Sequence, residues 1–352
     1  PIMTVSGAYT VNSSEMVGGL GIQSEHIAFI SFVTSIGMAA FSPFFYALVS
    51  VRRQKLMSLV GFSLLAVQSY ICANTDSLFI LALNSLIMGF VRQTLLMCNL
   101  FTLIKYGFGI EATRNVTPGN EPTDEAGWDA LDTEKKASQP IIYFFFMLLG
   151  QIGTWITAWF AYNYHWQMVY YAMLGAILVA LLITLVCMPY NSYPTKHCPL
   201  SFSKFGNVVV FCVMCCSFVY VTVYGKVYDW YDSPYIRWST AICVVSTLLF
   251  FYLEKTRRSP YFMLKAFKSR SIQGGILLFI GLMVCNSSSM LVNIFVGVGM
   301  KTDQIQVAAL GNWVLLGYFI GLVVILLLNN KGVHFKWFFA LGFVLIAAAS
   351  LF

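Results

Sequence analysis

The chain has 352 residues, of which 59% are hydrophobic and only 10% are charged, and its formal net charge is +7. Soluble domains carry about 25% charged residues, so a chain this apolar cannot cover its own surface with polar groups in water. The composition excludes an ordinary soluble protein and predicts that lipid is the second solvent. The positive charge does not indicate a nucleic-acid partner, because it is concentrated in the loops between apolar stretches.

Apolar stretches long enough to cross a membrane recur along the chain, since a membrane-crossing helix needs about 20 mostly apolar residues. A partial span ends near Val17, and residues 334–352 form an eleventh span that is barely long enough. Because Pro1 and Phe352 both lie in apolar stretches, we expect the chain to be truncated at both ends. The sequence predicts an all-α polytopic membrane protein with about 11 spans. The nine full spans lie at 26–50, 56–73, 78–106, 140–162, 167–189, 206–225, 235–253, 271–299 and 304–328.

The distribution of basic residues predicts how the spans are oriented. If the loop containing Arg52, Arg53 and Lys55 is cytoplasmic and the sides alternate from there, 17 of the 21 Lys and Arg residues fall on the cytoplasmic side. Only three fall in outer loops, and Arg92 remains within a span. Because cytoplasmic loops carry the excess of Lys and Arg, we expect a multi-pass protein of the cell (inner or plasma) membrane with a cytoplasmic N-terminus.

Two cytoplasmic loops are longer than simple turns. Residues 107–139 contain Pro, Gly and seven acidic residues, which predicts a polar, mobile insertion. Residues 254–270 form a linker, and its segment 259–270 mixes aromatic residues with Lys and Arg. That mixture predicts a short helix lying at the membrane interface.

Arg92 lies in the middle of the fourth span, together with Gln93, Asn84 and Asn99. Charge inside a membrane is costly, so an ionisable residue within a span is a functional hypothesis. Because Arg keeps its proton, its side chain must face a cavity or a polar partner. We predict that Arg92, Gln93 and Asn99 line a substrate cavity. The alternative is a structural Arg that donates to backbone carbonyls near an interface.

Other polar residues within the spans are candidates for the same cavity or for coupling. Glu15, near the outer end of the first span, is either a proton-carrying carboxylate or a solvated residue at the membrane edge, and its polar neighbours favour the second interpretation. The ninth span carries Asn286, Ser287, Ser288 and Asn293. Exposure of all these polar side chains to lipid would cost free energy, so we expect some of them to line a cavity or a helix contact.

Small residues recur on one face of the fifth span, at Gly150, Gly153, Thr157 and Ala161. This spacing lets two helix backbones approach closely. Gln151 in the same span adds a polar group that needs a partner.

The sequence contains no Gly-rich phosphate loop, nucleophile elbow or HExxH motif, so nothing in it predicts an enzyme. The nine Cys residues lie mostly in apolar stretches, which favours buried free thiols over redox or metal chemistry. The four His residues lie at loop edges. We expect no cofactor and no metal site; the expected partners are the lipid bilayer and a small-molecule substrate.

Five local features form a pattern along the chain: Arg52-Arg53-Gln54-Lys55; Arg92; Gly150, Gly153-Thr154 and Thr157-Ala158; His165-Trp166; and Tyr224-Gly225, Asp229-Trp230, Ser233-Pro234, Glu254, Arg257-Arg258 and Leu264–Arg270. This pattern resembles the major facilitator superfamily, and within it the drug:proton antiporters with fourteen helices. In the same order, the features correspond to the family's basic loop motif, a cavity arginine, the antiporter motif of the fifth helix, an aromatic turn, and the stretch around two additional central helices. Ser50 and Arg53 stand where the loop motif has Asp and Gly, and Thr154 replaces the proline of the antiporter motif.

The resemblance implies a major-facilitator-type helical bundle, in which two six-helix halves are related by a pseudo-two-fold axis and two central helices are inserted. Residues 1–189 would form the N-terminal half, 206–253 the inserted pair, 254–270 the linker and 271–352 the beginning of the C-terminal half. The implied cavity or coupling residues are Arg92, Gln93, Asn99, Glu15, Gln151, Asn286, Ser287, Ser288 and Asn293. The implied packing or gating residues are Gly150, Gly153, Thr154, Arg52 and Arg53.

Three functions fit these observations. The leading hypothesis is a secondary active transporter that exports small amphipathic compounds, with the proton as coupling ion. The second is a facilitator-type transporter of another solute, such as a siderophore, sugar or peptide fragment; Arg and neutral amides at the mapped cavity favour anionic or neutral cargo. The third is a membrane sensor or structural protein that no longer transports, which the altered loop motif and the acidic insertion would fit.

Overall fold

The computed structural model describes residues 2, 4–9, 13–44, 54–102, 125–188, 202–256, 267–294, 300, 302–329 and 335–349. The described residues form helices and connecting turns and contain no β-strand. Two short 3₁₀ turns, Ser42–Phe44 and Trp230–Asp232, accompany the α-helices. The helices are α1 Ser13–Leu20, α2 Ser24–Phe41, α3 Gln54–Ala73, α4 Leu78–Thr102, α5 Glu125–Asn163, α6 Gln167–Cys187, α7 Phe202–Tyr224, α8 Pro234–Thr256, α9 Arg270–Ile294, α10 Gln304–Asn329 and α11 Phe335–Ala349.

Eight of the described helices, α2 to α8 and α10, are long and apolar enough to cross a membrane. Within α9 the apolar stretch is Ile272–Val284, and α1 and α11 have 8 and 15 residues. Each of the eleven stretches that the sequence analysis marks as a span contains one helix. The protein is therefore an all-helical, multi-pass membrane protein; its division into two pseudo-symmetric halves stays a prediction.

The outer faces of the helices are apolar, as contact with lipid requires. On α6, Val169, Tyr170 and Ile177 are buried, whereas Leu182 and Val186 on the other side are 59% and 77% exposed. A water-soluble monomer rarely exposes a continuous apolar surface of this kind, but in a bilayer it is the solvated side of the helix.

Three boundaries differ from those predicted. The partial first span is not one helix, because residues 4–9 are non-helical and α1 has only eight residues. The second span was expected to reach residue 50, but α2 ends at Phe41 and a 3₁₀ turn that contains Pro43 follows. Pro43 cannot donate the backbone hydrogen bond that would continue the helix. Residues 45–50 lie outside the described residues. Residues 125–139, predicted as loop, are helical and continuous with the fifth span, because their Ala, Leu, Glu and Lys content favours helix despite its polarity.

The chain divides into two compact units. Unit 1 comprises residues 1–103 and 156–266, and unit 2 comprises residues 104–155 and 267–352. Helix α5 contributes its first 31 residues to unit 2 and the remainder to unit 1.

Glycines bring α2 and α4 of unit 1 into backbone contact. A Cβ atom placed on Gly37 of α2 would lie 2.3 Å from the Leu86 carbonyl oxygen, and one on Gly89 of α4 would lie 2.2 Å from the Thr34 carbonyl oxygen. Only glycine leaves room for two backbones at this separation. Helix α2 also packs against α7, where Ile36 and Ala40 form a small core with Val208 and Cys212 of α7 and Phe250 of α8.

Aromatic side chains pack α2 against the far end of α7. His26 Nδ1 and the Tyr224 hydroxyl are hydrogen bonded, and the Phe29 ring contacts Tyr220 and Tyr224 at centroid distances of 5.9 and 5.7 Å. Tyrosine commonly lies at the level of the lipid headgroups because its ring is apolar and its hydroxyl is polar.

In unit 2, α5 and α10 contact each other through polar and aromatic side chains. Gln151 Nε2 donates to the Ala308 carbonyl at 2.8 Å, and Trp155 Nε1 donates to Asn312 Oδ1 at 3.0 Å. The Gln151 amide also lies against Gly311, where any larger residue would displace it. The polar partner that the sequence analysis requires for Gln151 is therefore present.

Candidate functional site

A mostly buried, non-helical segment at residues 4–9 lies beside polar side chains of unit 1. Val5, Ala8 and Tyr9 are 0%, 2% and 7% exposed, although none of residues 4–9 is in a helix. A Cβ atom on Gly7 would overlap the Ser85 hydroxyl on α4, so only glycine fits there. Irregular backbone is tolerated within a membrane only where protein or a water-filled cavity surrounds it.

Side chains from α4 and α6 bond to the backbone of this N-terminal region. The Tyr170 hydroxyl on α6 donates to the Gly7 carbonyl at 2.6 Å, and Arg92 Nε on α4 donates to the Ile2 carbonyl at 3.0 Å. These bonds satisfy carbonyl groups that the absence of helix would otherwise leave exposed to an apolar environment. Arg92 and Tyr170 thereby connect two helices to one irregular segment.

Tyr9 places a second polar group beside Arg92. Its ring packs on Tyr170 at a centroid distance of 5.2 Å, and Trp166 covers the other side of Tyr170 at 6.1 Å. The Tyr9 hydroxyl interacts electrostatically with the Arg92 guanidinium. It faces the backbone N–H of Ser6, a donor, and makes no hydrogen bond of ordinary geometry with any described residue.

More polar groups line the contact between α3 and α4. Asn84 Nδ2 donates to the Gln68 carbonyl at 2.9 Å and to the Cys72 thiol at 3.0 Å. Gln68 Oε1 and the Ser69 hydroxyl are buried, and no described residue hydrogen-bonds to either atom. We call Tyr9, Gln68, Cys72, Asn84, Arg92 and Tyr170 the polar cluster. Buried polar atoms left open in a native structure call for an explanation, and a ligand or ordered water is a physical one.

The fourth-span residues expected to line a cavity have different surroundings. Arg92 belongs to the polar cluster and is half-buried, and Gln93 is buried. Asn99 donates to the Leu95 carbonyl of its own helix at 2.8 Å. Glu15 is exposed on α1.

The remaining predicted residues lie away from this cluster or outside the description. Gln151 belongs to unit 2, and the Thr154 hydroxyl donates to the Gly150 carbonyl of the same helix at 3.1 Å. Gly153 is buried, whereas nothing lies within 4 Å of a Cβ atom placed on Gly150. Those outside the description are Arg52, Arg53 and the side chains of Asn286, Ser287, Ser288 and Asn293.

Sequence reasoning missed Tyr9, Tyr170 and Gln68. A local signal for Tyr9 existed, because Gly7 and Tyr9 interrupt an otherwise apolar stretch beside several hydroxyl residues. Tyr170 carried no such signal, since its partner at Gly7 is 163 positions away in the chain.

A second buried polar contact joins α7 and α8. Asn207 Nδ2 donates to Glu254 Oε1 at 2.7 Å, and the two residues are 0% and 4% exposed. Asn207 Oδ1 is buried and has no hydrogen-bond partner among the described residues. This contact lies near the beginning of α7 and the end of α8.

Comparison of the chain with models of known protein families finds no match, and comparison with the curated proteins finds none either.

Proposed function

We propose that the protein is a secondary active transporter, and that the polar cluster of unit 1 is part of its solute site. The observation that carries the proposal is the buried, non-helical segment at residues 4–9, whose carbonyl at Gly7 is bonded by Tyr170. Transporters commonly form solute sites from interrupted helices near the middle of the membrane, because unwound backbone offers polar groups there. Residues 4–9 offer non-helical backbone of this kind inside the polar cluster.

The energetic cost of placing the charged Arg92 side chain within the membrane supports the same proposal. A charged side chain at the centre of a membrane helix costs at least about 2.5–3.5 kcal/mol, and Arg92 lies mid-way along α4. Such residues mark substrate or ion pathways more often than not. The resemblance to proton-coupled drug antiporters supports the finer proposal that the cargo is a small amphipathic compound, exported in exchange for protons. The distribution of Lys and Arg between the loops supports a cytoplasmic N-terminus in a cell membrane.

The test uses inverted membrane vesicles that contain the full-length protein. A proton gradient is imposed, and a pH-sensitive dye reports proton movement while amphipathic compounds are added one at a time. We expect some compounds to release protons from the vesicles and Arg92→Ala to abolish that response. Ser63→Ala is the matched control, because Ser63 is exposed and bonds only to the Leu59 carbonyl of its own helix. Arg92→Lys keeps the positive charge at this position, so comparison of this variant with Arg92→Ala distinguishes loss of transport from loss of folding.

One observation favours a protein that does not transport. The Arg92 bond to the Ile2 carbonyl is the kind that a structural arginine makes. No response to any compound, with the protein present in the vesicle membrane, would overturn the transporter proposal and support this second function. An unchanged response in Arg92→Ala would remove Arg92 from the mechanism.

A further inference from the structure

Helix α8 carries the one buried carboxyl group among the described spans. The eight described helices that can cross a membrane contain two acidic residues, Glu25 and Glu254. Glu25 is the second residue of α2, is half-buried, and accepts a hydrogen bond from the neighbouring Ser24 hydroxyl. Glu254 is 4% exposed. An ionisable group buried in a span is costly and is a functional hypothesis by default.

The Asn207 amide on α7 faces this carboxyl group and is itself fully buried. Asn207 Nδ2 donates to Glu254 Oε1 at 2.7 Å, and Asn207 is 0% exposed. Asn207 Oδ1, the acceptor of the same amide, is buried and has no hydrogen-bond partner among the described residues. A buried acceptor that lacks a donor costs free energy, and an ionised carboxylate has no proton to give it.

Protonation of Glu254 would supply the donor that Asn207 Oδ1 lacks. One proton added to the carboxylate gives a neutral carboxylic acid with an O–H group. An amide contains both a donor and an acceptor, so Asn207 can hydrogen-bond to either form, through its Nδ2–H to a carboxylate or through its Oδ1 to a carboxyl O–H. The distance of 2.7 Å between the two side chains suits both kinds of bond.

Few other ionisable groups lie near this pair. Helix α2 has no ionisable residue after His26. Lys204 is in the first turn of α7, with a side chain outside the described residues, and the next ionisable residue of α7 is Cys212. On α8 the neighbouring Lys255 is exposed. Glu254 also has an interaction besides the bond from the amide, so the amide is not its sole partner.

Packed residues connect Glu254 with the polar cluster. Phe250 lies one helical turn before Glu254 and belongs to the small core that joins α7 and α8 to α2. Gly37 of α2 in turn contacts Gly89 of α4, and Arg92 follows three residues later. Chains of packed side chains and helices of this kind can carry a displacement from one site to another.

We propose that Glu254 and Asn207 form a proton-binding site, in which Glu254 is the carboxyl group that carries the coupling proton. This assignment rests on the proposed transport function and names its coupling residue. The protonated carboxyl group is neutral and donates to Asn207 Oδ1. After the proton leaves, the carboxylate accepts from Asn207 Nδ2, as the structure shows. One proton is bound and released at this site in each cycle.

The first test follows the proton itself. Full-length protein in lipid vesicles is examined by infrared difference spectroscopy between neutral and acidic buffer. We expect a band of a protonated carboxyl group that is absent in Glu254→Gln, because glutamine has the shape of protonated glutamate but binds no proton. In Asn207→Ala the band should persist and shift to the frequency of a carboxyl group that has lost a hydrogen bond.

Asp229→Asn is the matched control for both tests. Asp229 is exposed in the turn between α7 and α8, at the opposite end of the same helix pair. Its φ of 51° is one that asparagine also adopts, so this variant should keep the turn. It should lose only a band that does not respond to Asn207→Ala.

The second test uses the inverted vesicles and the compounds of the transport assay. We expect Glu254→Gln to lose the release of protons that a compound triggers, and Asp229→Asn to respond as the unmodified protein does. Glu254→Asp keeps a titratable carboxyl group and should restore part of the response, which separates loss of the proton site from loss of folding.

An infrared difference spectrum that is unchanged in Glu254→Gln, a Glu254 band that is the same in Asn207→Ala, or an undiminished proton response in Glu254→Gln would overturn the assignment. Its failure is distinguishable from failure of the proposed function. Proton release that persists in Glu254→Gln would refute only the proton site. A Glu254 band without a response to any compound would refute only the transporter.

Discussion

Replacement of Gly89 by alanine tests whether the backbone contact between α2 and α4 holds unit 1 together. The new Cβ atom would lie 2.2 Å from the Thr34 carbonyl oxygen and 2.9 Å from both Gly37 Cα and Met38 N. Ordinary van der Waals contact begins at 3.4 Å, so the helices would have to move apart by about 1 Å, which forfeits a quarter to a half of the attraction of each contact. All three blocking atoms belong to the backbone and cannot rotate away.

The expected change in the free energy of unfolding is the difference between two opposing effects. Overpacking of a close contact costs about 1–3 kcal/mol, whereas alanine favours helix over glycine by about 0.5–1 kcal/mol. We expect Gly89→Ala to lower the free energy of unfolding by about 1–2 kcal/mol net. Gly175→Ala on α6 is the matched control, because no atom of the described residues lies within 4 Å of its new Cβ atom. This variant should be as stable as the unmodified protein or slightly more stable.

The assay is thermal unfolding of the full-length protein in detergent, followed with a thiol-reactive dye. Cys72 and Cys98 are buried thiols outside any disulfide, so they react when the α3–α4 region opens. We expect the midpoint to fall by several degrees in Gly89→Ala and to stay or rise in Gly175→Ala. The double variant Gly37→Ala/Gly89→Ala should lose less stability than the sum of the two single variants, because the helices need to separate only once. Equal midpoints for Gly89→Ala and Gly175→Ala would refute the reasoning.

Two further variants test the other buried polar contacts by the same assay. Asn207→Ala removes the amide that donates to the buried Glu254 carboxyl, and we expect a loss of about 1–3 kcal/mol; an unchanged midpoint would mean that the contact does not contribute. Gln151→Leu removes the hydrogen bonds to α10 in unit 2, and we expect a loss of about 0.6–1.7 kcal/mol, the range measured for hydrogen bonds between membrane helices. A gain in stability would show that apolar packing outweighs those bonds.

The helices could be predicted from the sequence because membrane insertion depends on a local property. About 20 apolar residues in succession have few alternatives to a helix in lipid, and each stretch that meets this condition contains one. Prediction failed where a local property was ambiguous. The polar stretch at 125–139 suggested a loop from its charge, although its residues favour helix. Residues 4–9 suggested a helix from their apolar content, although the close contact of Gly7 with Ser85 of α4 and the bond from Tyr170 of α6 hold them otherwise.

The helix contacts could not be predicted in the same way. Gly37 and Gly89 each matter because the other faces it, and neither helix's own sequence specifies that neighbour. Conversely, Gly150 belongs to a regular small-residue face, yet no described atom lies within 4 Å of a Cβ atom placed there. A small residue permits close approach but does not specify a neighbour, so the pattern alone cannot identify which faces meet.

The same distinction separates Arg92 from Tyr9. The energetic cost of Arg92 belongs to the residue itself, because a guanidinium keeps its charge wherever it is placed, and the sequence therefore reveals it. The importance of Tyr9 lies in its relation to other groups: its hydroxyl faces the Ser6 donor and the Arg92 cation, and neither of them can accept its proton. Loss of Arg92 would remove the bond to the Ile2 carbonyl as well as any contact with a solute, so its effect is compatible with either a structural or a binding role. Loss of the Tyr9 hydroxyl breaks no hydrogen bond of the described structure, and a change of transport in Tyr9→Phe would therefore indicate a role in the solute site.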